Sequence, residues 1–168
     1  MKIVLLGTTG YHPTDSRETP CMMLPECGVL LDAGTAMYRV PEYLTTSTLD
    51  IFLTHTHLDH VVGLTFLFDI LYETSIERVR VHGEPRKLSG LQQHLFSKAL
   101  FPTVPPIDWC PLTASPLTLA NELVVTYFPL QHPGGSLGYR LDWPDRSLAY
   151  ITDTTARPGA DYIERIRG

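Results

Sequence analysis

The segment His55-Thr56-His57-Leu58-Asp59-His60 places three histidines and one aspartate within six consecutive residues. It follows Asp50-Ile51-Phe52-Leu53-Thr54, a short apolar run that predicts a buried strand. The residues after it, 61–72, are apolar almost all round and predict a buried helix. These six residues, called the histidine motif below, are therefore expected where a strand ends and a helix begins.

The spacing within the histidine motif predicts a metal site. His55 and His57 are two positions apart in an extended segment, so their side chains point to the same side, with Cα atoms about 6.5 Å apart. Two imidazoles at that spacing can bind one zinc ion, and Asp59 and His60 follow where the chain turns and can serve a second ion. Asp59 as a plain helix N-cap is the alternative. Crowded imidazoles repel one another when protonated, which favours metal binding.

Two further ligand candidates lie far along the chain, each at the end of a predicted strand. His132 follows the predicted strand 123–130 and lies 72 residues after His60, and Asp153 follows the predicted strand 147–152. A carboxylate can bridge two ions. Taken alone, the two residues fit metal ligands no better than they fit a histidine in a turn and an aspartate in an Asx-turn. Their strand-end positions match that of the histidine motif and favour ligation.

Taken together, the histidine motif, His132 and Asp153 resemble the ligand series of the metallo-β-lactamase-fold hydrolases. The resemblance runs from about residue 2 to residue 155. It implies an α/β fold, a four-layer α/β-β/α sandwich with the site at one edge of the sheets. Three further segments resemble the phosphodiesterase branch, which includes the tRNA 3′-end-processing endonucleases and the small cyclic-phosphodiester hydrolases: Leu6–Gly10, Leu30–Gly34 and Ser136–Arg140.

The resemblance also implies a ligand assignment. The first ion would be held by His55, His57 and His132, the second by Asp59 and His60, with Asp153 as the bridge. Asp59 is also the implied catalytic residue, accepting a hydrogen bond from the attacking hydroxide. Asp32 matches an aspartate that orients a ligand, although a simple turn aspartate explains it equally well. All-nitrogen and oxygen ligation suits two divalent ions of zinc, with manganese or iron as alternatives.

Two departures from the family pattern shape the expectations. The family's last ligating histidine follows the position of Asp153, and no histidine follows it here. We therefore expect one domain over 1–168 whose second half lacks its closing elements. The tRNA endonucleases usually carry a tRNA-gripping arm between the positions of His132 and Asp153. Only 21 residues with one predicted hairpin separate them here, which makes a tRNA substrate less favoured than a small one.

Composition narrows the class of protein. The chain has 168 residues, of which 43% are hydrophobic, enough for a buried core and too many for a disordered chain. No apolar run approaches the ~20 residues of a membrane helix. The cysteines number three, without a Cys-x-x-Cys pair, so we expect a reducing, cytoplasmic location. The net charge of −5 and the lack of a long basic run argue against broad nucleic-acid binding.

Three functional hypotheses follow. The first is a phosphodiesterase in which two ions activate a hydroxide against a small-molecule or nucleotide-like phosphodiester. The second is a thioester or lactone hydrolase of the same fold, and the third is a non-catalytic metal-binding domain, suggested by the missing histidine. A homodimer is compatible with each of them.

The remaining patterns predict hairpins and two more helices. Hairpins imply antiparallel pairs, and apolar helices imply covered sheet faces. The predicted elements are a hairpin of strands 21–24 and 29–31, a strand over 79–82, a helix over 85–100, a long connection over 101–116, a hairpin of strands 137–143 and 147–152, and a helix over 161–167.

Overall fold

The structure is a computed structural model that describes residues 1–119, 122–155 and 157–167. The backbone divides into two compact units, Met1–Leu112 and Thr113–Gly168. Each unit has a sheet of its own. The interpretation of 1–168 as a single domain stays a prediction.

A mixed six-stranded sheet organises the first unit. The first three strands pair antiparallel, which confirms the predicted hairpin, whereas the third to the sixth pair parallel, an arrangement that the hairpin patterns did not indicate. Parallel neighbours need crossover connections, and short helical segments provide them. In spatial order the strands are β1 (Val4–Gly7), β2 (Cys21–Leu24), β3 (Val29–Leu31), β4 (Thr48–Phe52), β5 (Arg78–Gly83) and β6 (Asp108–Pro111).

The helical segments cover one face of this sheet. Alternation along β4 sends Leu49 and Ile51 into the core beneath them, where Leu64 and Leu67 also pack. Within the described residues, no helix is long and apolar enough to cross a bilayer. The segments are a 3₁₀ helix at Thr35–Glu42, α1 (Leu58–Val61), a 3₁₀ helix at Val62–Phe66, α2 (Leu67–Glu73), α3 (Pro85–Gly90) and a π-helical turn at Leu91–Leu95.

The continuous helix predicted over 61–72 is wrong, because a 3₁₀ helix separates α1 from α2. Two local contacts account for the break. The Gly63 N–H donates to the Ala33 carbonyl at 2.8 Å, a bond to another segment of the chain. The Thr65 hydroxyl donates to the Val62 carbonyl at 2.6 Å and competes with the backbone ladder.

The region 85–116 also differs from its prediction. The helix predicted over 85–100 is confirmed up to Leu95, because α3 continues directly into the π-helical turn, and it is wrong beyond that residue. A bond from the Phe96 N–H to the Leu91 carbonyl at 3.0 Å closes the turn. The long connection predicted over 101–116 contains β6, which pairs with β5 at the edge of the sheet. The strand includes Pro111 at its last position, and a proline is tolerated on an edge strand.

The described residues of the second unit form a four-stranded antiparallel sheet in the order β10-β9-β8-β7. The predicted hairpin is confirmed by β9 and β10, although β10 ends at Tyr150 rather than at 152. The helix predicted over 161–167 is a single turn. The elements are β7 (Leu117–Thr118), β8 (Val124–Leu130), β9 (Ser136–Trp143), β10 (Arg146–Tyr150) and α4 (Tyr162–Arg165).

Candidate metal centre

The side chains of the histidine motif converge in the first unit. The chain leaves β4 and stays extended up to His57, which is the N-cap of α1 with φ −64° and ψ 147°. Asp59 therefore lies in the first turn of the helix, and the alternative that it is the N-cap is wrong. The ring of His55 lies 4.5 Å from that of His57 and 4.1 Å from that of His60, measured between centroids.

Imidazole and carboxylate donors meet at this point. A ligand atom of His55 and one of His57 lie within 4.8 Å of each other, and Asp59 Oδ2 lies 3.5 Å from His60 Nε2. His55 and His60 are buried, whereas His57 is exposed and Asp59 is partly buried. The Tyr11 N–H donates to Asp59 Oδ2 at 2.8 Å and fixes that carboxylate from the loop after β1. One side of this cluster of donors is therefore buried in the protein, and the other side is accessible to solvent.

Asp32 lies beneath the histidine motif and binds Thr54, which precedes the motif, and His60, which belongs to it. It is fully buried directly after β3, in the left-handed region with φ 60°, which aspartate tolerates better than most residues. Its carboxylate accepts the Thr54 N–H at 2.8 Å, the Thr54 hydroxyl at 2.9 Å and His60 Nδ1 at 2.9 Å. Asp32 therefore contacts His60, a predicted ligand, and also occupies a turn; that it orients a metal ligand stays a prediction.

Close backbone packing holds the turn after β3 against α1. The Ala33 N–H donates to the His60 carbonyl at 2.8 Å. A Cβ on Gly63 would lie 2.2 Å from the Gly34 carbonyl oxygen, and a Cβ on Gly34 would lie 2.5 Å from the Asp59 carbonyl oxygen. Only glycine fits at these two positions. The distance between Asp32 and the motif is therefore set by backbone contact.

The second unit brings the other two candidates together. His132 follows β8 and Asp153 follows β10, and His132 Nε2 lies 3.9 Å from Asp153 Oδ2. Asp153 has φ 47°, and its Oδ1 accepts the Thr152 hydroxyl at 3.1 Å. The His132 carbonyl accepts the Gly135 N–H at 2.8 Å, which closes a turn. Two residues from distant predicted strand ends are thus neighbours within this unit.

The chemistry of the donors in the first unit fits a divalent ion. The ring of His55 contacts those of His57 and His60, so these imidazoles would repel if protonated, and an ion among them relieves that repulsion. His60 Nδ1 is engaged with Asp32, so the proton lies there and Nε2 keeps the lone pair that a metal needs. Nitrogen and oxygen donors suit zinc, manganese and iron alike.

Sequence reasoning missed two contacts of this site. Tyr11 reaches Asp59 through its backbone N–H, and such a contact leaves no trace in the residue type. Thr54 bonds Asp32 and also lies 3.0 Å from His55 Nδ1 through its hydroxyl. The only indication of this role in the sequence is that Thr54, a hydroxyl residue, directly precedes the first predicted ligand, His55.

Comparisons with known proteins agree with this picture. A family model described as a beta-lactamase superfamily domain matches residues 28–168. A ribonuclease Z of Haloarcula marismortui is 27% identical over 179 residues, which cover all of this chain and 57% of the relative. A ribonuclease Z of Bradyrhizobium sp. is 30% identical over 161 residues, covering 86% of this chain and 51% of the relative. The chain spans about half the length of the curated relatives it matches.

Solved structures confirm the α/β fold class. The short form of human tRNase Z superposes with a TM-score of 0.75 at 21% identity, covering 98% of this chain and 73% of that one. A diphosphatase from the PhnP family gives 0.72 at 22% identity, covering 99% and 70%. Together with the match over 28–168, these results confirm the resemblance in the sequence, and the chain belongs to the family described as the beta-lactamase superfamily domain, with the metallo-β-lactamase fold.

Proposed function

We propose that this chain is a metal-dependent hydrolase of phosphodiester bonds. The observation that carries the proposal is the convergence of three imidazoles and Asp59 above a buried Asp32 that binds His60. The relatives supply the type of bond, since those described above are ribonucleases Z.

We propose that two divalent ions bind the chain. For the histidine motif the assignment is supported by ring contacts and by the Asp32 contact. For His132 and Asp153 it is supported by the family's ligand order and by their pairing within the second unit. Zinc is the proposed metal, with manganese and iron as alternatives. The proposed ligands are His55, His57 and His132 for one ion, Asp59 and His60 for the other, and Asp153 for both.

The residues of the chain then have distinct tasks. Bound divalent ions supply Lewis acidity and a water of lowered pKa. Asp59 accepts a hydrogen bond from the attacking water and directs it, since the Tyr11 N–H holds its carboxylate in place. Asp32 keeps the proton of His60 on Nδ1. The exposed His57 lies on the side from which a substrate can approach.

The substrate class that we propose is a nucleotide phosphodiester. The names of the relatives favour RNA, whereas the net charge of −5 and the 21-residue step from His132 to Asp153 favour a short substrate over a folded tRNA. A nucleotide phosphodiester in a short RNA satisfies both observations. The thioester and lactone alternatives gain no support from these relatives.

The test measures hydrolysis of bis(p-nitrophenyl) phosphate and of a short single-stranded RNA by the chain with zinc or manganese. His57→Ala should lower the rate on both substrates by at least ~100-fold, because it removes a ligand. The matched control is His94→Ala, an exposed histidine on the π-helical turn, which should keep the wild-type rate. Equal rates for His57→Ala and wild type would refute the proposal.

A further inference from the structure

The hydroxyl of Thr54 lies between the buried carboxylate and the first histidine of the motif. Its Oγ1 is 2.9 Å from both oxygens of Asp32 and 3.0 Å from His55 Nδ1. Thr54 is 1% exposed and His55 is 2% exposed, so bulk water does not supply alternative partners to this hydroxyl. Asp32, Thr54 and His55 are thus linked by a short buried series of hydrogen bonds, which does not include the direct bond between Asp32 and His60.

The donor and the acceptor of each hydrogen bond in this series follow from counting the available protons. Asp32 receives the Thr54 N–H and the His60 Nδ1–H, so it is an ionised acceptor. A threonine hydroxyl has one proton, and at 2.9 Å from a carboxylate that proton must point at the carboxylate. The hydroxyl then turns a lone pair toward His55 Nδ1 at 3.0 Å. Two lone pairs facing each other at that distance would repel, so Nδ1 carries a proton and donates it.

We infer that Thr54 is a positioning residue that fixes the tautomer of His55, with the proton on Nδ1 and the lone pair on Nε2. A neutral histidine in water prefers the opposite tautomer, with the proton on Nε2. Asp32 thus sets two rings, that of His60 directly and that of His55 through the Thr54 hydroxyl. Each ring then presents Nε2 as a metal donor without a rearrangement of protons.

This inference deepens the proposed function, because it rests on His55 as a metal ligand, yet its first measurement needs no metal. Long-range ¹H–¹⁵N correlation spectra of the metal-free chain report which ring nitrogen carries the proton. Wild type and Thr54→Ser should both show His55 protonated on Nδ1. Thr54→Val, which keeps the shape and removes the hydroxyl, should shift His55 mainly to the Nε2-protonated form.

His60 is the internal control, since its bond to Asp32 does not involve the hydroxyl of Thr54. In Thr54→Val it should remain protonated on Nδ1. The zinc affinity of the proposed site that includes His55 should fall about 10- to 100-fold in Thr54→Val and stay within about threefold of wild type in Thr54→Ser.

An unchanged His55 tautomer in Thr54→Val would overturn the inference, and so would a simultaneous change at His60, which would mark Thr54 as a general support of the fold. A changed tautomer with unchanged zinc affinity would overturn the link to the metal. If the wild-type chain bound no zinc while His55 carried its proton on Nδ1, the proposed function would fail and the role of Thr54 would stand.

Discussion

Gly63→Ala probes the backbone contact that places Asp32 beneath the motif. The added methyl would lie 2.2 Å from the Gly34 carbonyl oxygen, 2.5 Å from Met37 Cβ and 2.8 Å from the Ala33 carbonyl oxygen. Two of these atoms are backbone, so relief requires the turn after β3 to move away from α1. Overpacking in a core typically costs about 1–3 kcal/mol, and a clash with two carbonyls should cost about 3 kcal/mol or more.

The matched control is Gly90→Ala at the end of α3, where an added Cβ would meet nothing within 4 Å. It should stabilise the chain by about 0.5–1 kcal/mol, since alanine is the better helix former. Urea unfolding followed by circular dichroism gives both free energies, and zinc affinity should fall only in Gly63→Ala. A Gly63→Ala chain as stable as wild type, with unchanged zinc affinity, would refute the argument from backbone contact.

Three further predictions concern charge and metal. Asparagine tolerates φ 60° as aspartate does, so Asp32→Asn removes the negative charge without straining the backbone. Zinc affinity, measured by calorimetry, should fall about 10- to 100-fold, and an unchanged affinity would contradict a role for the carboxylate. Asp50→Ala removes the partner of His82 at 2.7 Å and of Arg80 at 2.6 Å. The free energy of unfolding in urea should fall by about 2–3 kcal/mol while zinc affinity stays unchanged, and wild-type stability would contradict this prediction. Chelation should abolish diester hydrolysis and added zinc should restore it, whereas activity that survives chelation contradicts the metal requirement.

The features that could be predicted correctly from the sequence depend on residues that lie close together along the chain. The convergence of the histidine motif follows from spacing along an extended segment, which is why His55 and His57 could be paired before any fold was known. The strands were found because short apolar runs end at turn residues. His132 and Asp153 were proposed from their positions at predicted strand ends and from the family resemblance, since nothing close in sequence joins them.

What the sequence could not predict depends on contacts between distant segments. The break between α1 and α2 follows from a bond between Gly63 and Ala33, thirty positions apart. The parallel pairing of β3 to β6 depends on crossovers rather than on residue patterns. The bond from Thr54 to Asp32 spans neighbouring strand ends, and only the register of β3 on β4 brings those ends together.

The function proposed for this chain requires bound metal, which a calorimetric titration of the metal-free chain with zinc measures. We expect one tight binding event, at the proposed site of His55, His57 and His132, and one weaker event, at the proposed site of Asp59, His60 and Asp153. His57→Ala should weaken the tight event and spare the other. If the wild-type chain bound zinc no better than a variant with both His55 and His60 replaced by alanine, the histidine motif would not be a metal site.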